Sequence, residues 1–257
     1  MGKKHREEET PKVTTIPEGV CECEECTCEA CEPCELEPIM VNGSEGGGEM
    51  FSYGFEELVV MTDIENRIFY INEEIEPHDL TSIAMFIIKA NINDAGLPVE
   101  ERMPIKLIIN SYGGSVLDGL GLIDIIQASE TPVISIVIGY ACSMAFVIAV
   151  SCNYRVAMKN AVLLNHDGQT GIIDSSSKFR DTVKFYDRVD ERLDKLIASK
   201  SKLTMKELAD TKRQETYMFA DEAKDLGLID AIIGEDISFV ELFTHDEEGY
   251  YNIFNKA

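Results

Sequence analysis

Ser143 stands in the run Gly139-Tyr140-Ala141-Cys142-Ser143-Met144-Ala145, where an apolar strand pattern gives way to an apolar helical one. A hydroxyl at such a junction sits at the positive end of a helix, beside backbone N–H groups that have no intrahelical partner. That is a favourable place to generate and hold an oxyanion, and it suits nucleophilic attack on an acyl carbon. The arrangement is the same device as the strand–turn–helix elbow of hydrolases, although the G-x-S-x-G pattern is absent. The plainer role for a serine there is a helix cap. A second feature, Asn110-Ser111-Tyr112-Gly113-Gly114-Ser115, puts two glycines between a strand and a helix. Glycines let the chain turn sharply there and turn amide N–H groups toward a ligand, as they also do in many ordinary turns. A third is the stretch C-E-C-E-E-C-T-C-E-A-C-E-P-C at 21–34, which holds six thiols. Cys23–Cys26, Cys28–Cys31 and Cys31–Cys34 have the C-x₂-C spacing of metal-thiolate sites such as those for zinc. The spacing is denser than in a tetrahedral zinc module, so a redox-active or simply disordered segment is the competing reading.

The elements that must position these residues follow from hydrophobic periodicity. Short apolar runs predict strands at Arg67–Ile71, Ile105–Asn110, Val133–Gly139, Tyr154–Ala157, Val162–Asn165 and Leu228–Ile233. Spacings of three and four predict helices at Asp79–Asn91, Ser115–Ala128, Cys142–Ser151, Asp174–Ser199, Met205–Thr211 and Ala220–Leu226. Alternation of this kind requires parallel crossovers, so the fold class is α/β.

Composition divides the chain. Residues 1–50 carry thirteen Glu, four Lys or Arg, six of the eight cysteines and the run Gly46-Gly47-Gly48. With almost no apolar periodicity, that segment is expected to be a disordered or ligand-ordered tail ending in a linker. Residues 51–240 are expected to form the domain, and 241–257 a C-terminal tail. The net charge of -24 argues against nucleic acid or an anionic membrane as partner. No apolar stretch is long enough to span a bilayer, and no signal-type apolar region follows the N-terminus, so a cytoplasmic protein is expected.

Taken in order, I-N-S-Y-G-G-S-V, G-Y-A-C-S-M-A, L-L-N-H at 163–166 and A-D-E-A-K-D-L-G-L-I-D at 220–230 closely resemble the Clp protease proteolytic subunit, over roughly residues 65–235. The resemblance implies the fold shared by Clp proteolytic subunits and crotonases, stacked βαβ units with a protruding handle helix at 174–199. It implies a serine endopeptidase with Ser143 as nucleophile, His166 as general base and the amides of Gly114 and Met144 as oxyanion hole. No cofactor is needed for that chemistry. It also implies stacked rings of seven, a polypeptide substrate lying as an added strand beside 168–173, and an ATP-driven unfoldase of the AAA+ type as partner.

The third member of the triad departs from the family pattern. Ungapped alignment on Ala220-Asp221-Glu222-Ala223 puts Glu215 where the family carries Asp, with Asp210 as the rival and a Ser-His dyad as the remaining alternative. Asp167, next to His166 on a strand, would point to the opposite face. Tyr112 replaces the family's proline, Asp167-Gly168 its Gln-Pro, and Cys142 its alanine before the nucleophile. Cys142 and Cys152 are expected to be inert core thiols. Rival functions are a non-catalytic subunit of mixed rings, a crotonase-type acyl-CoA enzyme, and a phage-type maturation protease of the same superfamily.

Overall fold

Residues 55–76, 80–168 and 175–244 are described by a computed structural model, and all of them fall in one compact unit, Gly54–Ala257. The chain runs α1 (Phe55–Glu65), β1 (Ile68–Ile71), α2 (Thr81–Asn93), β2 (Ile105–Ser111), α3 (Val116–Ala128), β3 (Val133–Cys142), α4 (Met144–Ser151), β4 (Tyr154–Met158) and β5 (Val162–Asn165). It continues as α5 (Ser176–Ser199), α6 (Met205–Arg213), β6 (Thr216–Phe219), α7 (Ala220–Asp225), β7 (Ala231–Ile233) and α8 (Phe239–Phe243). The expected α/β class holds. β1, β2, β3, β4 and β7 lie side by side and parallel.

β3 is the axis of the sheet and forks. Its first half, Ile134–Val137, pairs with β4, and its second half, Tyr140–Cys142, pairs with β5. β6 then adds antiparallel to β5. The strand pattern in the sequence stops at Gly139, but pairing with β5 carries β3 on to Cys142. The helix begins at Met144, two residues later than its apolar pattern suggests. Cys142 is therefore the last residue of a strand. The strand-to-helix kink separates it from the helix that Ser143 opens.

Alternation along β2 shows why both faces are covered. Ile105, Leu107 and Ile109 face the cluster that includes Ile83, Ile87, Leu122, Phe146 and Ile148. Ile108 faces the other side with Ile134, Ile136, Val156, Ile233 and Leu242, where Phe243 also packs. Two partly buried ion pairs secure the ends of the sheet. Arg67 grips Asp94 through two nitrogens at 2.6 and 2.7 Å, and Arg155 grips Asp230 at 2.6 and 2.9 Å. The Asp of the G-L-I-D motif is thus a structural ligand of β4. Long α5 buries only Val189, Leu193 and Ile197, all toward its C-terminal end, while Phe179, Val183 and Phe185 remain exposed.

Lys106 is the anomaly of the core. It is 2% exposed, its Nζ donates to the Asn66 carbonyl at 3.2 Å and lies 5.7 Å from the Phe243 ring centroid. Burial, with Arg67 nearby, lowers its pKa to about 8. The folded chain therefore holds fewer protons than the unfolded chain between that value and the ordinary 10.5. Stability rises with pH through this window, and below it the cost of burying the charge is present in full. Lys106→Met should stabilise the protein at pH 7 by about 1–3 kcal/mol, with the gain vanishing at high pH. Urea denaturation of both proteins across that window checks this.

Candidate active site

Ser143 adopts φ 54°, ψ -126°, a backbone conformation that side-chain-bearing residues avoid. Holding it there costs on the order of 1–3 kcal/mol, which the packing around it must supply. Met144 to Ser151 are all buried, and Ser143 N–H donates to the Leu164 carbonyl of β5 at 3.0 Å. Although Ser143 occupies the cap position of α4, its side chain makes no capping hydrogen bond. The hydroxyl is not spent on the helix.

The glycine turn lies against this kink. A Cβ built on Gly113 (φ 95°) would stand 2.6 Å from the Cys142 carbonyl oxygen, 2.7 Å from Ser143 Cβ and 2.8 Å from Met144 N, so no other residue fits. The turn is held by its neighbours. Gly113 N–H donates to Ser111 Oγ at 3.1 Å, and Ser111 Oγ donates to the Glu73 carbonyl. Ile75 N–H donates to the Gly113 carbonyl at 2.8 Å, and Ser115 N–H to the Ile75 carbonyl at 2.7 Å. These bonds occupy the amides on both sides of Gly114. Among the described residues the Gly114 N–H has no acceptor, nor has the Met144 N–H at the first position of α4. Two adjacent chain segments thus offer unused amides beside one serine.

His166 follows the last residue of β5, so it emerges at the same end of the sheet as Ser143 from the neighbouring parallel strand. That end, where parallel strands finish, is where α/β sheets build ligand sites. The Ser143 and His166 side chains are not hydrogen-bonded to each other, a common condition before substrate arrives. Cys142 is 4% exposed and burial pushes its thiol up, while Cys152 is pushed up to about 12 by burial. Both are poor nucleophiles.

The three candidate acids are separated by their surroundings. β5 and β6 pair Val162↔Phe219 through Asn165↔Thr216, so His166 and Glu215 are the residues directly beyond the last pair. Glu215 is exposed, with φ 49°, and its N–H donates to the Lys212 carbonyl at 3.1 Å. Its carboxylate makes no hydrogen bond to His166. Asp210 pairs instead with Arg213 on the outer surface of α6 at 2.8 Å. Asp167 has a side chain 71% exposed, 3.7 Å from Lys212 Nζ.

The sequence did not single out the support that α6 gives to this segment. Buried Asn165 donates from Nδ2 to Thr211 Oγ1 at 3.5 Å, and Lys212 Nζ reaches both Asp167 and, at 2.9 Å, Asp194 of α5. Asp190 beside them has its pKa raised, first by burial and then by Asp194, Asp167 and Asp187, with Lys212 opposing. Thr211 and Lys212 of α6 therefore face Asn165 and Asp167, the residues on either side of His166. Lys212 of α6, Asp194 of α5 and Asp167 just after β5 carry no sequence signature that marks them as neighbours.

A model of the Clp protease family matches residues 59–236, well over half of the chain and the whole of this site. The chain belongs to the Clp protease family. Among curated relatives, ATP-dependent Clp protease proteolytic subunit 2 of Tropheryma whipplei is 29% identical over 171 residues, 66% of this chain and 92% of the relative. The ATP-dependent Clp protease proteolytic subunit of Leuconostoc citreum is 29% identical over 174 residues, covering 66% and 84%. Subunit 3 of Rhodococcus jostii is 25% identical over 148 residues, covering 57% and 72%. No helix among the described residues is long and apolar enough to cross a membrane. No cluster of metal-ligating side chains occurs among them either. Cys23, Cys26, Cys28, Cys31 and Cys34, with the rest of the N-terminal segment, lie outside the described residues, as does the 169–174 part of the expected substrate strand.

Proposed function

We propose that this Clp-family chain is a serine endopeptidase working through an acyl-enzyme. The observation that carries the proposal is Ser143 itself, strained at the end of β3, uncapped, and flanked by two amides without acceptors among the described residues. Ser143 Oγ attacks the peptide carbonyl while His166 takes its proton. The tetrahedral oxyanion accepts hydrogen bonds from Gly114 N–H and Met144 N–H. His166 returns the proton to the leaving amine, and water, activated by the same imidazole, then hydrolyses the ester. Glu215 fixes the imidazole and stabilises its cation. No cofactor enters these steps.

The substrate is an unfolded polypeptide, entering as an extended strand next to the segment that follows His166. Assembly into rings is supported by α5, whose exposed Phe179, Val183 and Phe185 need covering. An ATP-driven unfoldase and a cytoplasmic location go with the same reading. Purified full-length chain should cut an unstructured polypeptide into short products, and failure under conditions in which the chain assembles would contradict the proposal. Light scattering at micromolar concentration should give a mass several times the 28.7 kDa of one chain, and a monodisperse monomer would exclude the ring.

Gly113→Ala is a sharp internal check. Its Cβ would displace the Cys142–Met144 backbone, and misplacing the nucleophile by about 1 Å costs on the order of 10²-fold in rate. A loss of that size in kcat, with the far-ultraviolet circular dichroism spectrum preserved, is the expected outcome.

A further inference from the structure

Two tyrosines lie on the two segments that meet at Ser143. Tyr112 immediately precedes Gly113, and Tyr140 lies three residues before Ser143 on β3. Their rings stack, with centroids 4.1 Å apart and planes inclined by 27°. The residues about them are buried, Ser111, Ala141, Cys142 and Met144 each 4% exposed or less, whereas Tyr112 is 71% exposed. Each ring orients the other, so a fixed aromatic surface is left open on the two segments, 110–115 and 139–144, that meet at Ser143. Nothing in the proposed chemistry uses it.

An aromatic face attracts a cation through its quadrupole, and a guanidinium can also stack on it. The charges nearby have the matching sign. Glu73 and Glu74 are exposed on the segment whose Glu73 carbonyl accepts from Ser111 and whose Ile75 is hydrogen-bonded to Gly113. Asp167 and Glu215 are exposed on the His166 side. Segments 72–76, 110–115, 139–144 and 162–168 contain no lysine or arginine, and Lys212 is held by Asp194. A basic side chain would be drawn in with no competing cation in these segments.

Resting on the peptidase reading above, we propose that Tyr112 and Tyr140 form a specificity platform that selects peptides with lysine or arginine next to the scissile bond. The test uses fluorogenic peptides that differ only in the residue on one side or the other of that bond, carrying Arg, Lys, Leu or Glu. Full-length chain should prefer Arg and Lys over Leu by about three- to tenfold in kcat/KM on at least one side. Tyr112→Phe should keep the ratio, because the ring survives. Tyr112→Leu should bring it toward one, and Tyr112 is too exposed for that change to open a core void. Equal rates for Arg and Leu, or a preference for Leu, would overturn the platform. A basic preference that persists in Tyr112→Leu would assign it to the carboxylates alone, and would overturn the role of the rings. If no peptide is cut, the peptidase reading fails on its own. The platform is then judged by calorimetric binding of the Arg and Leu peptides to the same protein, where equal Kd values would refute it.

Discussion

Ser143→Ala should leave a folded protein that assembles as before and has lost peptide hydrolysis by at least about 10³-fold in kcat. The oxygen removed is small, makes no hydrogen bond as a cap, and is not part of the apolar cluster that holds α4. Its loss therefore costs little packing. The amides of Gly114 and Met144 remain in place, so any residual rate reports binding and oxyanion stabilisation without a nucleophile. Thermal unfolding and light scattering should be unchanged, while progress curves with a fluorogenic peptide fall to background. Activity above a few per cent of the parent would remove Ser143 from the mechanism.

Glu215→Gln should lower kcat by roughly 10²- to 10⁴-fold, with a smaller effect on KM. The amide keeps the shape of the side chain and removes the charge that stabilises the imidazolium formed during attack. The prediction rests on register, because His166 and Glu215 stand directly beyond the last β5–β6 pair. Asp210→Asn should change kcat by less than about twofold, since that carboxylate is engaged with exposed Arg213. If neither substitution matters, the enzyme works as a dyad. If Asp210→Asn alone is severe, the acid has been misassigned.

The sequence displayed the parts of the site that lie within single runs. The strand before Gly113, the junction at Ser143 and the order of four motifs are local patterns, and alternation of strands and helices implied a parallel sheet. What stayed hidden depends on pairing between distant segments. β3 continues past Gly139 because β5 binds its second half, and no periodicity in Gly139-Tyr140 announces that. β6 is short and buries only Met218, so Thr216–Phe219 lacks a strand signal, yet its register is what places Glu215 and His166 directly beyond the last β5–β6 pair. The Tyr112–Tyr140 stack joins residues 28 positions apart. The strained φ of Ser143 is likewise invisible in composition, because serine at a helix start suggests a cap with ordinary dihedrals.

The most direct measurement is covalent labelling of the purified full-length chain with a fluorophosphonate, followed by peptide mapping in a mass spectrometer. Such a reagent reacts with a serine whose hydroxyl is deprotonated on attack and whose adduct oxyanion is held by amide donors. Stoichiometric modification confined to Ser143, abolished in His166→Ala, is the predicted result. An unlabelled protein, or a label on another residue with Ser143 untouched, would contradict the account.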